Sequence, residues 1–142
     1  MDFVGCKLLL VQGDHLLTYL RDDKPGLPFA AHWDLPGGGR EGDETPEACV
    51  LRELEEEFGL TLSESRLSRR WDYPSMMDAS RASWFFAGVI SGAEIAAIRF
   101  GDEGQHWQMM SVADFLGHPA AVPELQRRTE LALEDSSWRT GT

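Results

Sequence analysis

Gly38-Gly39-Arg40-Glu41-Gly42-Asp43-Glu44-Thr45-Pro46-Glu47-Ala48-Cys49-Val50-Leu51-Arg52-Glu53-Leu54-Glu55-Glu56-Glu57-Phe58-Gly59-Leu60 is a glycine-rich turn running into a helix that carries glutamates at 53 and at 55 to 57. Thr45 suits the N-cap, and Pro46 suits the first turn, where a missing N–H does no harm. Gly59 suits the end of the helix, because glycine accepts the left-handed backbone found there. Glu53, Glu56 and Glu57 fall on one face, and Leu51, Leu54 and Phe58 form the buried stripe on the other. Arg52 stands four residues before Glu56 and can pair with it along the helix. Like charges so spaced cost about a few tenths of a kcal/mol each on an exposed helix. A solvated acidic face would tolerate that; a turn beside an acidic face is also a way to hold divalent cations next to a phosphate chain.

Working outward, Trp33-Asp34-Leu35-Pro36-Gly37-Gly38-Gly39 reads as a short strand breaking into a glycine loop, where backbone groups can approach a ligand. Glu41, Asp43 and Glu44 add acid to the same loop. Hard cations such as Mg²⁺ choose carboxylate and carbonyl oxygens, and they usually keep substrate phosphate and water in their shell.

Together these residues resemble the Nudix hydrolases, whose signature is G-x5-E-x7-R-E-U-x-E-E-x-G-U, with U aliphatic. Gly38, Glu44, Arg52, Glu53, Leu54, Glu56, Glu57, Gly59 and Leu60 match every fixed position, over 23 of 142 residues. The resemblance implies an α+β fold, a mixed sheet between helices in an α/β/α sandwich, with this box as loop–helix–loop. It implies hydrolysis of a nucleoside diphosphate linked to another moiety, with Mg²⁺ or Mn²⁺ as cofactor. Carried onto this chain, it makes Glu53, Glu56 and Glu57 the metal carboxylates and the Gly37 carbonyl a further ligand. Arg52 would orient the acidic cluster, and Glu44 would support the loop by pairing with Arg52. Gly38, Gly39 and Arg40 would meet the substrate. Glu53 is the first candidate for the general base, with Glu103 or Glu44 as alternatives, since the family uses no one fixed residue. Glu103 enters because Gly101-Asp102-Glu103-Gly104-Gln105-His106-Trp107 is similar to a segment from which some members supply a ligand or base.

The short form resembles the MutT-like members, which convert nucleoside triphosphates, oxidised ones included, to monophosphate and pyrophosphate. ADP-ribose, dinucleoside polyphosphates and nucleotide sugars stay open as substrates. Isopentenyl-diphosphate isomerase shares the fold, but it needs a catalytic cysteine and metal histidines that have no place here. A non-catalytic nucleotide sensor would go with a degraded box or an attached DNA-binding domain.

The rest of the chain fits one domain over residues 1–142, with residues after Asp135 expected to fray. Apolar residues at 42% and charged residues at 26% are an ordinary globular balance. No run is long and apolar enough to span a membrane, and Met1 to Gln12 does not read as a secretory signal. Val4 to Val11 reads as a buried strand and His15 to Arg21 as the second arm of a hairpin. Leu67 to Tyr73, Ser83 to Ile90 and Gln105 to Met110 read as extended, and Ala93 to Phe100 as either strand or short helix. Ser111 reads as a helix cap and Pro123 to Glu134 as a terminal helix. A net charge of −11 argues against a nucleic-acid polymer as partner but admits a free nucleotide arriving with its metal. Cys6 and Cys49 read as reduced packing residues, which favours the cytoplasm. His15, His32, His106 and His118 lack ligand spacing, and His32 and His106 are the two whose loops border the expected pocket. Trp33, Trp71, Trp84 and Trp107 read first as packing residues, with base stacking as the alternative. A homodimer is left open.

Overall fold

Period-two alternation along β1 (Phe3–Gln12) divides the molecule into two layers. Leu8 and Leu10 point into one apolar cluster, and Leu9 and Val11 point into another on the opposite face. The same division runs through β2 (His15–Leu20), where Leu17 and Tyr19 oppose Leu16. It recurs in Phe86 against Phe85 and Ala87 of β6 (Ala82–Val89). The computed structural model describes residues 2–139.

The sheet is mixed. Strands run in the order β3 (Trp33–Asp34), β2, β1, β6 and β5 (Arg69–Pro74), while β4 (Gly37–Gly39) pairs with β1 and β7 (His106–Ser111) with β2. Among these strands β1 and β6 form the parallel pair, with Cys6 opposite Trp84 and Leu10 opposite Gly88. The β1–β2 hairpin turns at Gly13, as the sequence implies. A parallel pair needs a long crossover, and α1 (Pro46–Phe58) lies within it. The helix packs Val50, Leu54 and Phe58 on the face that carries Leu8 and Leu10. On the other face, Phe115 from α3 (Val112–Gly117) and Leu125 and Ala132 from α4 (Pro123–Glu134) cover Leu9 and Val11. This is the expected α/β/α sandwich, and no described helix is long and apolar enough to cross a membrane.

The caps behave as their chemistry dictates. Thr45 Oγ1 accepts from Ala48 N at 3.1 Å, Pro46 opens α1, and Gly59 closes it at φ 68°. Ser111 caps α3 through Asp114 N. The ambiguous stretch from Ala93 resolves as α2 (Gly92–Ala96), because Ser91 and Glu94 form a reciprocal capping box.

The tail departs from expectation. Ser137–Arg139 form a 3-10 turn that buries Trp138, whose Nε1 donates to Ala132 O at 3.1 Å. The remaining residues of the expected frayed tail, 140–142, lie outside the described residues. A large apolar ring can anchor a terminus that has no secondary-structure signal of its own. Trp138→Ala is therefore expected to cost about 3 kcal/mol in urea unfolding. A frayed tail would instead leave the midpoint unchanged.

Candidate active site

The glycine loop is drawn tight against β1. Gly37 adopts φ 136°, and a Cβ there would lie 2.1 Å from Cys6 O, so only glycine fits. The loop also lies directly on the acidic helix. A Cβ on Gly38 would come within 2.6 Å of the Glu53 carboxylate, and Gly37 N donates to Glu57 Oε1 at 2.9 Å.

Arg52 gathers the acids. Its Nε and Nη2 fork onto both oxygens of Glu44 at 2.7 and 3.1 Å, and Nη2 also reaches Gly39 O at 2.9 Å. Nη1 reaches Glu53 Oε1 at 3.0 Å and Glu56 Oε2 at 3.1 Å. Glu44 in turn accepts from Glu41 N at 2.8 Å, which closes the turn. The Arg52 guanidinium holds the Glu44 carboxyl below its ordinary range.

The three box carboxylates sit in different surroundings. Glu56 is exposed, Glu53 is mostly buried, and Glu57 is 5% exposed. Burial raises the Glu53 carboxyl against the pull of Arg52. Burial pushes Glu57 up to about 8, with the Lys7 ammonium and the Gly37 N–H opposing it and Glu53 and Asp34 adding to it. Among the described residues, no three acidic, histidine or cysteine side chains are already gathered around a cation position. The reason is visible in the bonds: Arg52 holds an oxygen of Glu53 and of Glu56, while Glu57 turns under the loop. The donor set fits a hard divalent ion, since it consists of carboxylate and carbonyl oxygens whose crowded charge a cation would relieve.

A second charge network holds the other end of the loop. Buried Asp34 accepts from Lys7 Nζ at 3.0 Å, Arg21 Nη1 at 2.9 Å and Tyr19 Oη at 3.2 Å. Lys7 Nζ also reaches Leu35 O at 3.2 Å and Gly37 O at 3.5 Å, so it fixes the carbonyl expected to be a ligand. Lys7 is not among the candidates that the motif singles out. Its signal is nevertheless in the sequence: a lone lysine inside the apolar run Val4 to Val11 needs a buried partner.

The other candidates lie elsewhere. Arg40 lies over the Phe3 ring, 4.4 Å from its centroid, and donates to Glu44 O at 3.0 Å. Glu103 lines a separate cleft with Tyr19, Arg21 and Lys24, and it makes no hydrogen bond or ion pair among the described residues. Its loop is nevertheless tied to the box helix, because Gly101 N donates to Glu57 O at 2.9 Å. Trp33 packs in the core against His106 and His118, and Trp71 packs on Phe85. Trp84 and Trp107 pack partly buried against the α1-side core. His32 bonds Ala30 O within its own loop. Cys6 and Cys49 are buried free thiols with sulfurs 3.2 Å apart, and their contact together with burial pushes the Cys6 thiol up.

Comparison with known proteins places this geometry in context. The family model described as NUDIX domain matches residues 4–131. An 8-oxo-dGTP diphosphatase of Haemophilus influenzae is 34% identical over 123 residues, covering 84% of this chain and 85% of that one. An RNA pyrophosphohydrolase of Acidiphilium cryptum is 44% identical over 61 residues, 43% of this chain, and the match spans only 36% of that protein's length. The crystal structure of a bifunctional NMN adenylyltransferase/ADP ribose pyrophosphatase from Francisella tularensis, complexed with AMP and a Mn ion, superposes with a TM-score of 0.67. It is 24% identical, and the match covers 94% of this chain and 42% of that one, a likeness of fold.

The Glu57 shift has a measurable sign. The folded chain keeps a proton up to about pH 8 that the unfolded chain releases near 4.5. Its contribution to stability is therefore lost as pH rises through that window. Glu57→Gln retains an oxygen acceptor for Gly37 N–H and carries no charge. In metal-free buffer its stability relative to the parent chain is expected to rise between pH 5 and pH 8 by on the order of 2–4 kcal/mol. Urea midpoints at the two pH values check this, and a constant difference would contradict it.

Proposed function

The chain belongs to the NUDIX family, and from that premise we propose that it is a Mg²⁺- or Mn²⁺-dependent pyrophosphohydrolase that converts a nucleoside triphosphate to the monophosphate and pyrophosphate. The observation that carries this reading is the Arg52-centred cluster of glutamates pressed against the Gly37–Gly39 loop. Glu56, Glu57 and Glu53, with the Gly37 carbonyl, would hold the divalent ion, which when bound supplies charge neutralisation on the phosphate oxygens.

The chain's own residues divide the remaining work. Arg52 keeps Glu53 and Glu56 side by side despite their like charge. Lys7 anchors the loop from the sheet side. Water attacks phosphorus, the bridging P–O bond breaks, and the water proton passes to a carboxylate. Glu53 suits the role of that carboxylate. One of its oxygens is on Arg52, the other faces Gly38, and burial makes it more basic than an ordinary carboxylate. Glu44 suits it less, because both its oxygens are committed to Arg52. Glu103 opens onto a different cleft.

The substrate class rests on extent of likeness. The Haemophilus 8-oxo-dGTP diphosphatase matches along most of both chains, whereas the Acidiphilium RNA enzyme matches over less than half of this one. A net charge of −11 also disfavours a polymer with a phosphate backbone. The two buried free thiols suit a reducing compartment such as the cytoplasm.

The deciding experiment measures phosphate and pyrophosphate release with Mg²⁺ from nucleoside triphosphates, ADP-ribose, dinucleoside polyphosphates and nucleotide sugars. Pyrophosphate from triphosphates is expected. Binding without turnover of any would favour a sensor. Glu53→Gln is expected to lower kcat roughly 10²–10⁴-fold with the fold intact, the usual worth of a general base. An unchanged kcat would move that role to another group.

A further inference from the structure

β5 ends the main run of the sheet, so one of its edges pairs with β6 and the other is open. The pairing fixes which backbone groups lie on each side. Ser75 N donates to Arg81 O at 2.8 Å, in register with Tyr73 opposite Ser83 and Trp71 opposite Phe85. Neighbouring residues of an antiparallel strand turn their N–H and C=O to opposite sides. Arg69, Trp71 and Tyr73 therefore bond β6, and Arg70, Asp72 and Pro74 turn their backbone outward. Arg128 Nη2 takes the Pro74 carbonyl at 3.0 Å, and at the other end Ser68 N bends inward to Ala87 O at 2.8 Å. The open edge is thus the N–H and C=O of Arg70 and Asp72, which have no partner among the described residues.

Charge sets this edge apart from the rest of the surface. With a net charge of −11, two copies of the chain repel one another over most approaches. The edge instead presents Arg69, Arg70 and Asp72, all exposed. Arg69 is held by Asp135 and Arg70 by Glu47 of the same chain, whereas Asp72 makes no side-chain hydrogen bond or ion pair among the described residues. Charges on an edge strand usually keep other strands away. Arg70 and Asp72, however, are opposite in sign and two residues apart, so they share one face of the strand and can be matched.

We propose that this edge pairs with the same edge of a second copy of the chain, as an antiparallel dimer whose two-fold axis passes at Trp71. The proposal is independent of the function read above. In that register Arg70 of each copy lies opposite Asp72 of the other. Both residues face outward, so each such pair exchanges two backbone hydrogen bonds. The two pairs together then satisfy every open N–H and C=O of both edges, and each sets an arginine side chain beside an aspartate. Slipping the strands by two residues either way would set Arg70 on Arg70 or Asp72 on Asp72, so charge selects the register. Trp71 meets Trp71 of the second copy at the axis, in the close type of cross-strand pair that favours aromatic contact. It already packs against the α4-side core, with its ring centroid 6.0 Å from that of Phe85, and the pair carries that core across the axis. The same patch serves both copies, as a closed two-fold dimer requires.

Sedimentation velocity of the full chain over a range of concentrations tests this. A strand edge is small beside a standard interface, so a weak dimer, dissociating in the micromolar range, is expected. Asp72→Arg sets arginine against Arg70 of the second copy and is expected to weaken the dimer roughly tenfold or more. Arg70→Asp sets aspartate against Asp72 and is expected to do the same. Mixed together, these two variants restore both opposite-charge pairs, and they are expected to sediment as a heterodimer at concentrations where each alone is a monomer. Urea midpoints check that each variant is folded. Should Arg70→Asp fail to fold without its Glu47 partner, Asp72→Pro serves instead: it deletes an outward N–H, leaves the bonds to β6 in place and is expected to weaken the dimer. A parent chain that stays monomeric up to about 300 µM would overturn the proposal. So would parent-like association of Asp72→Arg or Asp72→Pro, or folded charge variants that stay monomeric when mixed.

Discussion

The site depends on one cation. Arg52 touches oxygens from Glu41, Glu44, Glu53 and Glu56 and the Gly39 carbonyl, and so ties the turn before the helix to the helix itself. Its side chain is 21% exposed, so these interactions are screened less than a surface pair would be. Without it, the carboxylates would face one another across the loop with no compensating charge. A lysine could supply the charge but not the fork that grips Glu44 bidentately while a further N–H reaches Glu53.

The opposite flank of the loop is held by the same kind of force. Lys7 and Arg21 converge on buried Asp34, and Lys7 extends the network to the carbonyls of Leu35 and Gly37. Two charge networks therefore clamp three glycines between β1 and α1, and Glu57 bridges them by accepting from Gly37 N beneath the loop. Glu57 ends in the driest place of the three box acids, and burial raises its carboxyl to about 8. A site assembled this way crowds carboxylates in the folded chain, and a bound cation would relieve that crowding.

What is legible in the sequence is mostly local. Thr45, Pro46 and Gly59 set the helix ends through bonds within a turn of themselves, and the apolar alternation of β1 and β6 sets the sheet faces. The Arg52–Glu44 pairing is an expectation of the family resemblance, and Arg52 Nε lies 2.7 Å from Glu44 Oε2. Contacts between distant segments are not legible. Lys7 meets Asp34 only because β4 folds back on β1, and Trp138 is buried because it joins the cluster that contains Phe85 and Ala87 of β6. Nothing in the dipeptide Arg127-Arg128 tells its two arginines apart, yet Arg128 is buried and bonds Ser83 and Pro74, while Arg127 beside it stays exposed. Helical phase against a partner layer decides between the two arginines, and that phase follows from packing rather than from the dipeptide.

The central claim is that the Gly37–Gly39 loop and the acidic face of α1 form one metal-phosphate centre. Paramagnetic broadening of backbone amides by Mn²⁺, in the presence of a non-hydrolysable nucleoside triphosphate analogue, tests it most directly. The account predicts that broadening centres on Gly37–Gly39 and on the turn from Glu53 to Glu57, and that it is lost in Glu57→Gln. Broadening centred elsewhere, for instance around Glu124 or Asp135, or unchanged in that variant, would contradict it.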